Sequence, residues 1–177
     1  TPDGAWQESA QSLQRFLRGL RAKHGVFGVS GNWDPVGKGG WPGLEMLENE
    51  GRAIEVNGAK VWIAGVPSGK ADLQKALAGR PQETALSILL AHVPGGGAQA
   101  AQLTRPPDLI LCGHSHGGQT GVPFLGEFPY GCEKYRRGLY RVGRSWLYVN
   151  RGLGMHTMGV RFLCRPEVAV LTLSSAD

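Results

Sequence analysis

The sequence lacks any apolar run of membrane length. Its longest apolar stretches, Val61–Val66 and Ile88–Ala91, fall far short of the ~18 residues that a spanning helix needs. Cysteine is scarce, with Cys112, Cys132 and Cys164 far apart and odd in number. That excludes a disulfide framework and a Cys-x-x-Cys metal knuckle. Cys112 and Cys164 sit in apolar runs and read as small core residues. Charge is thin, at 19% of residues, with 19 Lys and Arg against 14 Asp and Glu. The net +5 favours anionic partners in general, such as phosphate esters, nucleic acid or acidic lipid. The basic residues are scattered, with small clusters only at Lys134–Arg137 and Arg161–Arg165. A solvated surface is therefore expected, and no specific nucleic-acid footprint. The chain opens Thr-Pro-Asp, not with a basic and then apolar segment, so no signal peptide is expected.

Glycine is plentiful instead, with 28 residues beside 11 prolines, against a usual glycine share of ~7%. Hydrophobic residues make up 41% of the chain, which excludes a disordered composition. One loop-rich globular domain is the expectation at this length. Trp6, Ala10, Leu13, Leu17 and Leu20 recur at helical spacing and predict a helix over Ala5–Lys23. Val26–Ser30 reads as a short buried strand. Pro42–Asn49 reads as a second helix, with proline in its first turn and Gly51 beyond its end. Arg52–Val56 and Lys60–Ala64 flank Asn57-Gly58, a hairpin signal. Lys70–Ala78 and Gly95–Leu103 read as further helices, and the Gly95–Gly97 run as a flexible connection. Leu86–Ala91 and Asp108–Cys112 are buried strands. Leu139–Val142, Trp146–Val149, Val160–Leu163 and Val168–Leu173 are short strands. Helices alternate with strands early and strands dominate late, which predicts an α/β layered fold with a mixed sheet.

Chemistry-capable residues follow the buried strands. Val26–Ser30 runs into Gly31-Asn32-Trp33-Asp34, Leu86–Ala91 into His92-Val93-Pro94, and Asp108–Cys112 into Gly113-His114-Ser115-His116-Gly117-Gly118. In open α/β sheets, sites form beyond the carboxyl ends of strands. An asparagine carbonyl and imidazole nitrogens are metal-capable donors. If the strands are parallel neighbours, Asn32, His92, His114 and His116 converge. Asn32 also suits a plain turn, and His92 a packed core position.

These segments, with Gly113 through Gln119 as the most specific, resemble the later motifs of the calcineurin-like metallophosphoesterase family. The closing stretch from Asn150-Arg151-Gly152-Leu153-Gly154 through Arg161-Phe162-Leu163-Cys164-Arg165-Pro166-Glu167 resembles a bacterial branch of phosphodiesterases and lipid-sugar pyrophosphohydrolases. The resemblance implies a four-layer α/β/β/α sandwich and two divalent metal ions (Mn, Fe, Zn or Mg) bridged by an Asp and a water or hydroxide that attacks phosphorus in line. It implies that Asn32, His92 and His114 are ligands of one metal and His116 of the other. The substrate implied is a phosphate ester, lipid-linked in part of that branch, in a cytoplasmic or membrane-associated bacterial protein. Two departures stand out. The family's D-x-H and G-D motifs are absent, so the sandwich is expected to be incomplete at the N-terminus, without the bridging Asp. The piece alone is then expected to bind at most one metal, weakly, and to be poorly stable. Where the family has a leaving-group histidine, this chain has Trp33, whose indole only donates and cannot shuttle a proton at neutral pH. A catalytically impaired relative that binds a ligand or partner is therefore the alternative function. No catalytic or substrate-binding residue is assigned. His24 reads as a helix C-cap, Asp34 as a turn cap, and Trp33 and Trp41 as a wall or simple packing. His156 lies in a loop, and Arg151 is a candidate phosphate contact.

Overall fold

The computed structural model describes residues 2–34, 40–119, 132, 134–155 and 159–174. It divides into two compact units, Thr1–Leu90 and Ala91–Asp177. The architecture is mixed α/β, with parallel and antiparallel strand pairs and helices between them.

The first unit opens with helix α1 (Pro2–Gly19). It ends four residues before the expected Lys23. The Arg21 guanidinium turns back onto the carbonyls of Arg18 (2.6 Å) and Leu20 (2.7 Å), satisfying acceptors that a helix end leaves open. Strand β1 (Phe27–Gly28) pairs in parallel with β2 (Glu45–Met46). The predicted helix over Pro42–Asn49 is therefore wrong. The amide of Glu45 donates to Val26 O and that of Leu47 to Gly28 O, both at 2.8 Å, and Leu47 is fully buried. Strand pairing and burial override the local proline and glycine boundary signals. Strands β3 (Glu50–Val56) and β4 (Ala59–Val66) form the expected hairpin. Its two-residue turn has positive φ at Asn57 (51°) and Gly58 (80°), as a type I′ turn requires. Strand β5 (Leu86–Ala91) lies beside β4, giving the order β3-β4-β5. Leu47, Val61 and Ile63 form the core, with Ile54, Leu86, Ile88 and Leu90 packed on it. The short helix α2 (Leu73–Leu77) is N-capped by Asp72, which accepts from Lys75 N at 2.9 Å.

The second unit carries α3 (Pro94–Ala100), β6 (Leu109–Cys112), β7 (Gly138–Val142) and β8 (Ser145–Val149). Strand order is β6-β8-β7. β6 and β8 are parallel with Leu109 opposite Trp146, and β7 and β8 are antiparallel. The glycine run is not a flexible connection but the first turns of α3. A Cβ on Gly97 would lie 2.7 Å from Cys112 Sγ and 2.9 Å from Ile110 Cγ2. The glycine lets helix backbone sit directly on β6. All three cysteines are free and buried. The expected strands Val160–Leu163 and Val168–Leu173 do not form. Among the described residues, that tail has one isolated bridge, at Phe162. Val168 and Val170 are 75% and 89% exposed. Branched residues favour a pleated surface only where a neighbouring strand supplies packing. Among the described residues, no helix is long and apolar enough to cross a membrane.

Candidate metal centre

In the first unit, the loop after β1 is closed by acidic side chains. Glu48 Oε1 accepts from Ser30 N (2.9 Å) and Ser30 Oγ (2.6 Å). Asp34 accepts from Gly31 N (2.6 Å) and from the Trp41 indole (3.1 Å). Asp34 thus caps the turn that carries Asn32, and Trp41 is bonded to that cap. Trp33 is 68% exposed.

In the second unit, β6 runs into the histidine loop. Gly113 N donates to His92 O at 3.2 Å, so the residue that follows β5 is tied to the exit of β6. His92 Nε2 and His114 Nδ1 lie 2.9 Å apart, with ring centroids 4.7 Å apart and planes tilted by 58°. One proton shared between two imidazole nitrogens accounts for that distance. Without the proton, both lone pairs face the same space, which is what a metal-binding pair of neutral imidazoles must offer. The pair fits a divalent ion as two of its donors. Among the described residues, no group of three or more His, Cys, Asp or Glu side chains is arranged to hold one.

Ser115, between the two histidines, is buried. Its hydroxyl donates to Arg136 O (2.6 Å) and accepts from Gly117 N (3.1 Å). The middle of the His-Ser-His run is thereby pinned inward. His116 Nδ1 lies 3.3 Å from Gly154 O. The structure brings His92 and His114 into contact and sets His116 two residues on, against Gly154. Asn32 belongs to the first unit. His156 lies outside the described residues.

Beyond β8, Asn150 N donates to Cys112 O (2.8 Å) and Asn150 Oδ1 accepts from Gly152 N (2.6 Å). Glu167 reaches back to this turn and accepts from the Tyr148 hydroxyl and from Arg151 Nε. Burial pushes the Glu167 carboxyl up, but these two bonds outweigh it and hold the group below its usual range. Burial, then the Glu167 bond, pushes the Tyr148 phenol up. Tyr148, Arg151 and Glu167 line a cavity of about 580 Å³ together with Arg137, Gly138 and the Val168–Leu171 stretch. Arg151, a candidate phosphate contact, is an ion-pair partner of Glu167 here. Local sequence gives no role to Ser115, Glu167 or Tyr148.

No family model matches the chain. The uncharacterized metallophosphoesterase YkuE of Bacillus subtilis is 35% identical over 94% of this chain. The phosphodiesterase YaeI of Escherichia coli is 42% identical over 49% of it. A transmembrane protein with metallophosphoesterase domain from Danio rerio is 32% identical over 94%. The chain spans 62% of the first relative's length, and its matches cover 32% and 42% of the other two. With a likeness that runs through nearly all its residues and includes the histidine loop between β6 and β7, the chain is similar to proteins named as metallophosphoesterases.

Proposed function

We propose that the chain is the carboxyl-terminal part of a metal-dependent phosphoesterase domain that hydrolyses a phosphodiester or pyrophosphate bond. The observation that carries this reading is the 2.9 Å meeting of the His92 and His114 rings just beyond β5 and β6. Asn32, His92 and His114 would hold one divalent ion and His116 a second, with Mn, Fe, Zn or Mg as the metals. When bound, the ions supply an activated water as nucleophile and positive charge against the phosphoryl oxygens. The chain's own residues orient these donors. Asp34 caps the Asn32 turn, Ser115 pins the loop between His114 and His116, and Gly154 O faces His116 Nδ1. The finer substrate reading, a lipid-linked phosphate ester, rests on the likeness of the Asn150–Glu167 segment to one branch of the family.

The test uses the complete open reading frame that contains this chain. Hydrolysis of bis(p-nitrophenyl) phosphate is followed with Mn²⁺, Fe²⁺, Zn²⁺ and Mg²⁺ in turn. Turnover that falls at least about 100-fold in His114→Ala and His116→Ala is expected. Turnover no higher than that of His116→Ala with every metal sinks the reading.

A second reading, an impaired relative that binds a phosphorylated ligand or a partner, is favoured by Trp33. Its exposed indole stands where the family places a proton-transferring histidine. Under this reading the wild type is silent and Trp33→His creates activity. A restored general acid is worth about 10²–10⁴ in rate. Wild-type turnover at ordinary phosphodiesterase rates removes it.

A further inference from the structure

The histidine loop is backbone that few residues adopt. From His114 to Gln119, only Ser115 has a negative φ. His114 (65°), His116 (49°), Gly117 (64°), Gly118 (83°) and Gln119 (46°) are all left-handed. Non-glycine residues held there store strain that the surroundings must offset. Two side chains from beyond β8 converge on this loop. Arg161 spans several carbonyls. Its Nε and Nη2 donate to Gly154 O, Nη2 also to Arg151 O (2.8 Å), and Nη1 to His116 O (3.3 Å). The Cys164 thiol is buried and donates to His116 O at 3.2 Å. The same carbonyl accepts from Gln119 N at 3.0 Å, and Gln119 O accepts from Phe162 N at 3.0 Å. A Cβ on Gly117 would lie 2.7 Å from Cys164 Sγ, so the thiol also fills the space a side chain there would need.

We propose that Arg161 and Cys164 are positioning residues that fix both the backbone and the ring state of His116. They clamp His116 O from one side. Arg161 also holds Gly154 O in place, and that carbonyl takes the proton of His116 Nδ1. With Nδ1 donating, the lone pair sits on Nε2, so one ring nitrogen is left as the donor atom. A hydrogen bond at the far nitrogen is how proteins set the tautomer of a ligating histidine. Arg161 suits this task because a rigid, planar fork of five donors can meet three separated carbonyls from one fixed position, whereas a lysine ammonium concentrates its three rotatable donors on a single atom. The inference rests on the reading of His116 as a metal ligand.

The test compares the complete open reading frame that contains this chain, as wild type, with its Arg161→Lys, Cys164→Ala, Cys164→Ser and His116→Ala variants. Co²⁺ binding is read from the visible absorption bands of the bound ion. Loop order is read without metal, from hydrogen–deuterium exchange of peptides covering residues 113–119. Arg161→Lys and Cys164→Ala are expected to speed exchange in those peptides and to weaken Co²⁺ binding roughly tenfold, the low end for a lost orienting partner. Cys164→Ser keeps a donor toward His116 O and is expected to recover most of the loss. Unchanged exchange in both Arg161→Lys and Cys164→Ala overturns the clamp, whether or not metal binds. Faster exchange with Co²⁺ affinity within twofold of wild type, where His116→Ala binds poorly, overturns the positioning role and leaves the ligand reading standing. Equal Co²⁺ binding by wild type and His116→Ala overturns the ligand reading and this inference with it.

Discussion

The two units hold their irregular segments in different ways. In the first, order comes from a backbone ladder over an apolar cluster. β3 and β4 pair along seven registered positions, and Leu47, Val61 and Ile63 pack beneath. In the second, side chains bonded to main-chain groups, those of Ser115, Arg161 and Cys164, add to the backbone bonds that hold the loop after β6. A ladder repeats, so its loss is shared among many bonds. A side-chain clamp has few members, so the loss of one falls on few bonds. The first arrangement gives stability. The second gives placement, which a ligand-bearing loop needs more.

The contrast can be broken at four points. Leu47→Ala removes a side chain with no exposure from the first unit's core. A loss of about 2–5 kcal/mol is expected in urea unfolding followed by circular dichroism. A loss below about 1 kcal/mol would mean that the cluster does not carry the ladder. In the histidine loop, Gly117→Ala combines a left-handed φ of 64° with a Cβ 2.6 Å from Arg151 Cγ. About 1–3 kcal/mol is expected, and neutral behaviour would show a loop that shifts freely. Glu167→Gln removes the charge that accepts from Tyr148 and Arg151, at about 1–3 kcal/mol near neutral pH. Its pH dependence has a definite sign. The folded carboxyl titrates below the ordinary 4.5, so its contribution is complete above that value and is lost as pH falls through the lower, folded one. The gap between wild type and Glu167→Gln should therefore close on acidification below about pH 4.5. A gap that widens there contradicts the assignment. Lys60→Ala should do least. Its ion pair with Glu83 is well exposed, and exposed pairs contribute about 0–1 kcal/mol.

Legibility in the sequence followed the same division. The Asn57-Gly58 hairpin, β5 and β6 could be read locally because alternation, turn chemistry and apolar runs act within a few residues. The Pro42–Asn49 segment misled because its strand character depends on Val26 and Gly28, some twenty residues earlier. Val168–Leu173 misled in the opposite direction, having strand composition without a paired strand among the described residues. At the site, position after a strand was enough to single out His92 and His114, which meet. The supports were hidden because Arg161 and Cys164 act through backbone oxygens more than forty residues away. No local pattern encodes which carbonyl a distant guanidinium will reach.

The enclosure of all three thiols has a practical consequence. A reagent such as iodoacetamide reacts with exposed thiolates, and here it must wait for the chain to open. Cys112 lies at the end of β6 and Cys164 against the histidine loop, so their alkylation rates act as two clocks on one molecule. One times the parting of strands and the other the loosening of the loop, with no added label.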